Sequence, residues 1–469
     1  MRHLIKKIVW LLLAIYCISC ENDTNPDSLF EKAPTKRIES KIEEVNTLLK
    51  SAENGWKFVY FPNDSQVGGF TYVFRFLEDN KVEIKSDFDD DTSFETSSYE
   101  INLGSTIQLT FNERSKVHDL ASGDVVPDDS LIGEGYFGNF QFLVQEIKTD
   151  TIILRDVRLL DDNLVSKQPD IKLSRMTTED INIIEQNRAV LSKLNDRLES
   201  PDGSVFLAFE KRFNGANELF TGTRFDLLRR IILATDKDGV NETFAFNLTP
   251  NGIAFNKPIK VLNTEIFNLD LQESGSDLFI GGNEADNKSI HIAFLDKPLI
   301  LTDDNKEMIS GLNNVYGYID ENLNTSTSKA FQALVKQTNE NLNSLNFKLI
   351  RVQFHYNVND PSDDEANPNR NNFIQYLIQD LDDDSRIVRI IHYVNVDSKT
   401  KSILKFSATG DWGLNLSVAP LFSAIDDVLT DSDGLYIIKE SYTVRFPNTI
   451  WSFTSVKTPS IQVVSYSFQ

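Results

Sequence analysis

From Trp56 onward, apolar side chains recur at every second position in short runs, and this period of two constrains the fold more than any other feature. The runs WKFVYF, FTYVFRFL, KVEIKS, SSYEINL, TIQLTF, FQFLVQEI and DTIILRDV follow one another between turn residues such as Asn63-Asp64, Glu78-Asp79-Asn80 and Thr149-Asp150. So many short strands so close together predict an antiparallel barrel or a strongly curved sheet. The same alternation returns over 204–300 and over 346–469. Two amphipathic helices interrupt it. One, over 35–51, follows Pro34 and puts Ile38, Ile42, Val45, Leu48 and Leu49 on one face; Asn54-Gly55 stops it. The other, over about 178–199, carries Ile181, Ile184, Leu191, Leu194 and Leu198. Shorter helices are expected near Lys329–Leu342 and Val418–Leu429. No repeat of fixed period is visible, which argues against a solenoid or propeller.

The fold class is therefore α+β, predominantly antiparallel β, with about three β-rich modules. Residues 30–176 are read as a helix plus a first, barrel-like module. Residues 177–300 are a helix plus a second module. Residues 301–345, Asn-rich and polar, read as a linker with one helix, and 346–469 as a C-terminal β-rich module.

The N-terminus predicts location. Arg2, Lys6 and Lys7 precede the uncharged run Ile8 to Ile18, which suits a signal-peptide core and is short for a membrane span. Ile18-Ser19-Cys20 ends it, and Glu21-Asn22-Asp23 follows. The segment resembles a bacterial lipobox, although Cys17 stands where an aliphatic residue is usual. The expectation is a signal peptide over 1–19, lipidation at Cys20 and a tether over 20–29. Cys17 and Cys20 are the only cysteines, so no thiol redox motif, Cys-based metal site or thiol nucleophile is available elsewhere. A multiply acylated cysteine would anchor the chain to a membrane.

Charge and motifs exclude further classes. There are 70 acidic against 47 basic residues, a net charge of −23, so nucleic acid is not an expected partner. No GxSxG, HExxH or Gly-rich phosphate loop occurs in a suitable setting. Gly68-Gly69 and Gly281-Gly282 read as strand-connecting turns. Calcium is the one cofactor for which the sequence offers ligands. Asp431, Asp433, Gly434 and Glu440 match positions of an EF-hand loop, but Leu429 stands at its first position and cannot ligate. Acidic clusters such as Asp87–Asp91 read most simply as solvated turns. His118 and Trp412 are the candidate ligand contacts. Each has a plainer reading, a packed or capping histidine and a tryptophan tucked over a sheet end.

Several segments together resemble a Bacteroidota lipoprotein family catalogued as a domain of unknown function. They are Ala52-Glu53-Asn54-Gly55-Trp56, Tyr60-Phe61-Pro62, the run Gly68 to Phe76, Ser86-Asp87-Phe88, Ser97 to Ile101, His118-Asp119-Leu120-Ala121, Phe246 to Ile253 and Lys257-Pro258-Ile259. The resemblance implies an accessory surface lipoprotein of SusC/SusD-type nutrient uptake systems, at the outer membrane and facing the exterior. The expected function is non-catalytic binding of a ligand or partner for such an importer. An envelope hydrolase acting on peptide or glycan, and a purely structural subunit, are the alternatives.

Overall fold

The computed structural model describes residues 34–103, 106–127, 131–159, 170–200, 203–236, 238–283, 285–310, 314–358, 370–440 and 446–468. The signal segment, the tether and Cys20 lie outside the described residues. Alternation closes the chain on itself three times, into three antiparallel barrels of eight strands each. The first comprises β1 (Trp56–Tyr60), β2 (Phe70–Phe76), β3 (Lys81–Ser86), β4 (Glu95–Leu103), β5 (Ile107–Phe111), β6 (Gln141–Ile147), β7 (Thr151–Asp156) and β8 (Ile171–Arg175). The second comprises β9 (Phe206–Phe213), β10 (Ala216–Asp226), β11 (Ile231–Thr235), β12 (Asn241–Thr249), β13 (Gly252–Val261), β14 (Thr264–Leu271), β15 (Asp277–Asn283) and β16 (Lys288–Leu295). The third comprises β17 (Val315–Ile319), β18 (Phe347–His355), β19 (Phe373–Asp380), β20 (Ile387–Asp397), β21 (Ile403–Ala408), β22 (Leu435–Lys439), β23 (Ile450–Ser455) and β24 (Gln462–Phe468). In every barrel neighbours in sequence are neighbours in space, and the last strand pairs with the first. The architecture repeats although no sequence repeat is visible.

Helices close the barrels. The Pro34–Lys50 helix buries Val45 and Leu49 against the first core, and the indole N–H of Trp56 donates to Leu49 O at 2.7 Å. Within residues 301–345, expected as a linker, the described segments belong to the third barrel. Val315–Ile319 forms its first strand, and the Lys329–Asn343 helix buries Phe331, Val335 and Leu342 in its core. The polar composition belongs to the outer face of that helix and to turns, which masks a sparse apolar stripe.

Large rings fill the first barrel: Phe58 lies 5.2 Å from Phe142 and 5.6 Å from Phe74, and Tyr60 lies 5.3 Å from Phe142. Several buried tyrosines hold their protons unusually tightly. Burial and the Asp156 carboxylate push the Tyr60 phenol well above its ordinary value, and burial and Asp426 do the same for Tyr376. An unfolded tyrosine ionises near pH 10 (~10 in model peptides). The folded state keeps these protons above that pH while the unfolded state releases them, so stability falls as pH rises through this range. Alkaline titration is expected to ionise the buried tyrosines of each barrel only as that barrel loses far-ultraviolet ellipticity. Complete phenolate formation with the fold intact would contradict it.

The first two barrels are joined through their walls. Val59, on the outer face of β1, and Phe61, just after it, pack on Ile231, Leu233 and Ala245 of β11 and β12. The Ile183–Leu198 helix spans the junction: Ile183 and Ile184 lie against Val73 and Met176 of the first barrel, while Val190 and Leu194 enter the second core. Between them runs a polar seam. Arg230 Nη1 donates to Asp87 Oδ1 and to Gly69 O, both at 2.8 Å, and Asn187 Nδ2 donates to Asp87 Oδ2 at 2.8 Å. Asp87 and Arg230 are 0% and 1% exposed. Gly68 and Gly69 are thus an interface rather than a turn: their N–H groups donate to Arg229 O and Phe246 O of the second barrel. The third barrel meets the second through Val205 N donating to Pro459 O and an edge-on contact of Phe206 with Tyr436.

Candidate functional site

Pairing between β12 and β13 breaks off halfway. The ladder runs from Thr249–Gly252 to Phe246–Phe255 and stops, so Glu242–Ala245 pair only with β11. On its other side β13 leaves β14 after Ala254 and rejoins it at Ile259. Asn256-Lys257-Pro258 supply the reason, since a proline has no N–H for a ladder and sits in strands at bulges. A slot of about 410 Å³ opens between the two strands, lined by Glu242, Thr243, Phe244 and Ala245 on one side and Phe255 to Lys260 on the other.

The first barrel holds the bulge in place. Its β1–β2 loop is a tight turn, with Ser65 Oγ donating to Asn63 Oδ1 at 2.7 Å and Val67 N to Asn63 O at 2.7 Å. That turn aims Asp64 at the bulge, where Oδ2 accepts from Asn256 Nδ2 at 3.1 Å and pairs with Lys257 Nζ at 2.9 Å. At the floor, Phe244 meets Phe209 at 4.9 Å and Phe220 at 5.9 Å. Lys211 of β9 reaches the same place, its ammonium 4.6 Å from the Phe220 ring and 3.5 Å from Glu218. The slot therefore combines free strand edges, aromatic side chains, lysines and Glu242 where the first barrel meets the second, and binding sites are common at such junctions. Among its described lining residues there is no histidine or cysteine.

The residues singled out from sequence are not brought together. Cys20 lies outside the described residues. His118, in the first barrel, is half-buried against Phe140, with ring centroids 4.6 Å apart, and its Nδ1 lies 3.2 Å from Ser115 Oγ. Burial holds its pKa below the usual range. Trp412, in the third barrel, is no surface platform: it is 8% exposed, and His392 stacks on it at 4.2 Å. Behind it Asp426 Oδ1 takes His392 Nδ1 at 2.8 Å and the Tyr376 hydroxyl at 2.7 Å.

The structure does not bring the calcium candidates together. Asp431 Oδ1 accepts the Asp433 N–H and Oδ2 is paired with Lys457, both at 2.9 Å. These partners hold its carboxyl below the ordinary range. Leu435–Lys439 then runs as an extended strand, which carries Glu440 roughly 20 Å from Asp433 at ~3.3 Å per residue, whereas an EF-hand loop must curl back. Glu440 instead accepts from Ser452 Oγ at 2.5 Å, and burial raises its pKa. Among the described residues no group of three or more metal-ligating side chains converges. In the other acidic cluster Lys116 reaches Asp89 at 3.4 Å and Asp91 at 3.3 Å, and Arg188 pairs with Asp90. Side-chain cations hold those carboxylates.

Sequence reasoning missed the slot, though a signal existed. Pro258 interrupts an alternating run, and a proline there marks a bulge.

A family model described as Domain of unknown function (DUF4302) matches residues 26–273. The match takes in the first barrel, both walls of the slot and the seam around Arg230. No curated protein matches the chain. Among solved structures, the chain is similar to the DNA polymerase III subunit beta from Pseudomonas aeruginosa, at 8% identity and a TM-score of 0.18, covering 92% of this chain and 98% of that one. It is likewise similar to the DNA polymerase III beta chain from Streptococcus pneumoniae, at 11% identity and a TM-score of 0.17, over 92% and 97% of the two chains. At such TM-scores these likenesses carry no conclusion.

Proposed function

Since the chain belongs to the DUF4302 family, whose description names no activity, we propose from its own residues that it is a non-catalytic binding lipoprotein. Cys20 anchors it at the outer face of the outer membrane, where it captures a ligand for a SusC/SusD-type importer. The observation that carries the binding role is the slot between β12 and β13, braced by Asp64 of the first barrel. The lipobox-like segment supports the anchor, and the family resemblance supports the importer. Tethering would act by raising the local concentration of captured ligand near the transporter.

The test uses the full chain carrying Cys20→Ser, which removes the lipid and leaves the barrels untouched. Oligopeptides and neutral oligosaccharides are titrated calorimetrically against it and against the same chain with Thr243→Trp. Thr243 is exposed and lines the slot, so the indole fills it without entering a core. Binding to the first protein, lost in the second at unchanged thermal stability, is expected. Binding indifferent to Thr243→Trp would place the ligand elsewhere, and no binding in either panel would end the capture reading.

A further inference from the structure

The slot's shape says what class of ligand it takes. Both of its walls are strand edges: Glu242–Ala245 pair only on the β11 side, and the bulge at Asn256–Pro258 has no strand partner on either side. A free strand edge offers a row of main-chain N–H and C=O groups to any extended chain laid beside it. The four residues Glu242–Ala245 cover about 13 Å at ~3.3 Å per residue, enough for a short extended segment.

We propose that the slot binds an extended peptide segment as an added strand, with an apolar side chain over Phe244 and Phe255 and a neighbouring carboxylate at Lys257 and Lys260. The proposal rests on the slot being the binding site and goes on to name what it binds.

Two observations favour a peptide over a glycan. Sugar stacking needs an open aromatic face, but Phe255 is 5% exposed and Phe244 meets Phe209 and Phe220 at 60° and 85°. Neither ring offers an open face, and such packed apolar surface suits an aliphatic side chain. The second is charge. The chain carries −23 overall, yet two lysines stand out at the rim: the Lys257 and Lys260 side chains are 61% and 70% exposed, with Glu265 beside Lys260 and Glu242 on the opposite wall. Asp64 beside them is 11% exposed and already holds Lys257 and Asn256. The pair Lys260–Glu265 spans 3.7 Å in the open, and an exposed ion pair of that kind is cheaply exchanged for an incoming carboxylate.

The probe is a capped pentapeptide library with Glu or Asp at its second and fourth positions and Val, Ile or Phe at its centre. It is titrated against the full Cys20→Ser chain, with amide hydrogen exchange read over 242–245. Library members are expected to bind and to slow exchange in that segment. Affinity should fall about tenfold or more when the central amide is N-methylated, and similarly with Lys260→Glu, a surface change that leaves folding intact. Unchanged affinity of the N-methylated peptide would overturn strand addition. Binding of a neutral oligosaccharide but of no library member, abolished by Thr243→Trp, would overturn the peptide and leave the slot standing. Peptide binding that survives Thr243→Trp would overturn both.

Discussion

Asp87→Ala is expected to cost about 3–5 kcal/mol, the range for removing one partner of a buried ion pair. The carboxylate is fully enclosed and saturated. Oδ1 accepts from Arg230 Nη1 at 2.8 Å and from Thr71 N at 2.9 Å, and Oδ2 accepts from Asn187 at 2.8 Å. Alanine leaves the Arg230 guanidinium, 1% exposed and 4.2 Å from the Phe70 ring, with no counter-charge. It also strands the Thr71 N–H and leaves Asn187 Nδ2 the weaker contact to the Thr71 hydroxyl at 3.2 Å. The double variant Asp87→Leu with Arg230→Met removes both charges and should recover most of the loss, because well-packed apolar replacements of a buried pair are often neutral. Three barrels need not unfold together, so one global transition is not assumed. Hydrogen exchange resolved by segment separates the barrels, and the loss should fall on β1–β3, the Ile183–Leu198 helix and β11–β12, with little change in β17–β24. A cost under about 1 kcal/mol, or one spread evenly over all three barrels, would show that the seam does not join them as described.

How much of this was legible in the sequence follows from the range of the signals. The barrels were, because alternation is local: Phe58 and Tyr60 point into one core while Val59 between them points out, and five residues show it. The first helix was legible for the same reason. Strand Val315–Ile319 was obscured by the Asn-rich stretches on both sides of it. The seam was illegible because its members are distant in sequence, Asp87 among four other acidic or aromatic residues and Arg230 beside Arg229. An Asp-rich stretch reads as a solvated turn unless its partners are known, and those partners are Lys116, Arg188 and Arg230, in three distant stretches of the chain. The calcium pattern is the opposite case. Its spacing is right only if the chain curls, and the alternating LYIIK run was the sign that it would extend.

The candidate site was half legible. Lys257-Pro258-Ile259 stood out by family resemblance, and a proline within an alternating run already implied a bulge. That the bulge faces a strand with no partner, and that Asp64 holds it, depends on the two barrels meeting. The Gly68-Gly69 pair is visible in the sequence but reads as a turn, because a glycine required for close approach looks in sequence like one required for a bend.

That distinction is testable at Gly68. A Cβ added there would lie 2.2 Å from Arg230 O and 2.3 Å from Phe246 O, and 2.8 Å from Arg230 Cβ. The first two atoms are backbone of β12 and of the residue preceding β11, so no rotamer change relieves them. Gly68→Ala must therefore push the first barrel away from the second. Moving the walls apart lengthens the Gly68 N to Arg229 O and Gly69 N to Phe246 O bonds, now 2.6 and 2.9 Å, and lets water reach the Arg230–Asp87 pair. Overpacking alone costs about 1–3 kcal/mol, and opening the seam adds to it, so the total should approach that of Asp87→Ala. The expected signature differs from that of a core defect. Each barrel keeps its own closed ladder, so far-ultraviolet ellipticity should persist while the radius of gyration from solution scattering increases. Asp64 would no longer reach Asn256 and Lys257, so any ligand of the slot should be lost as well. Gly68→Ala with unchanged scattering and unchanged binding would mean that the junction yields without separating, and that the bulge at Asn256–Pro258 stays open without the first barrel.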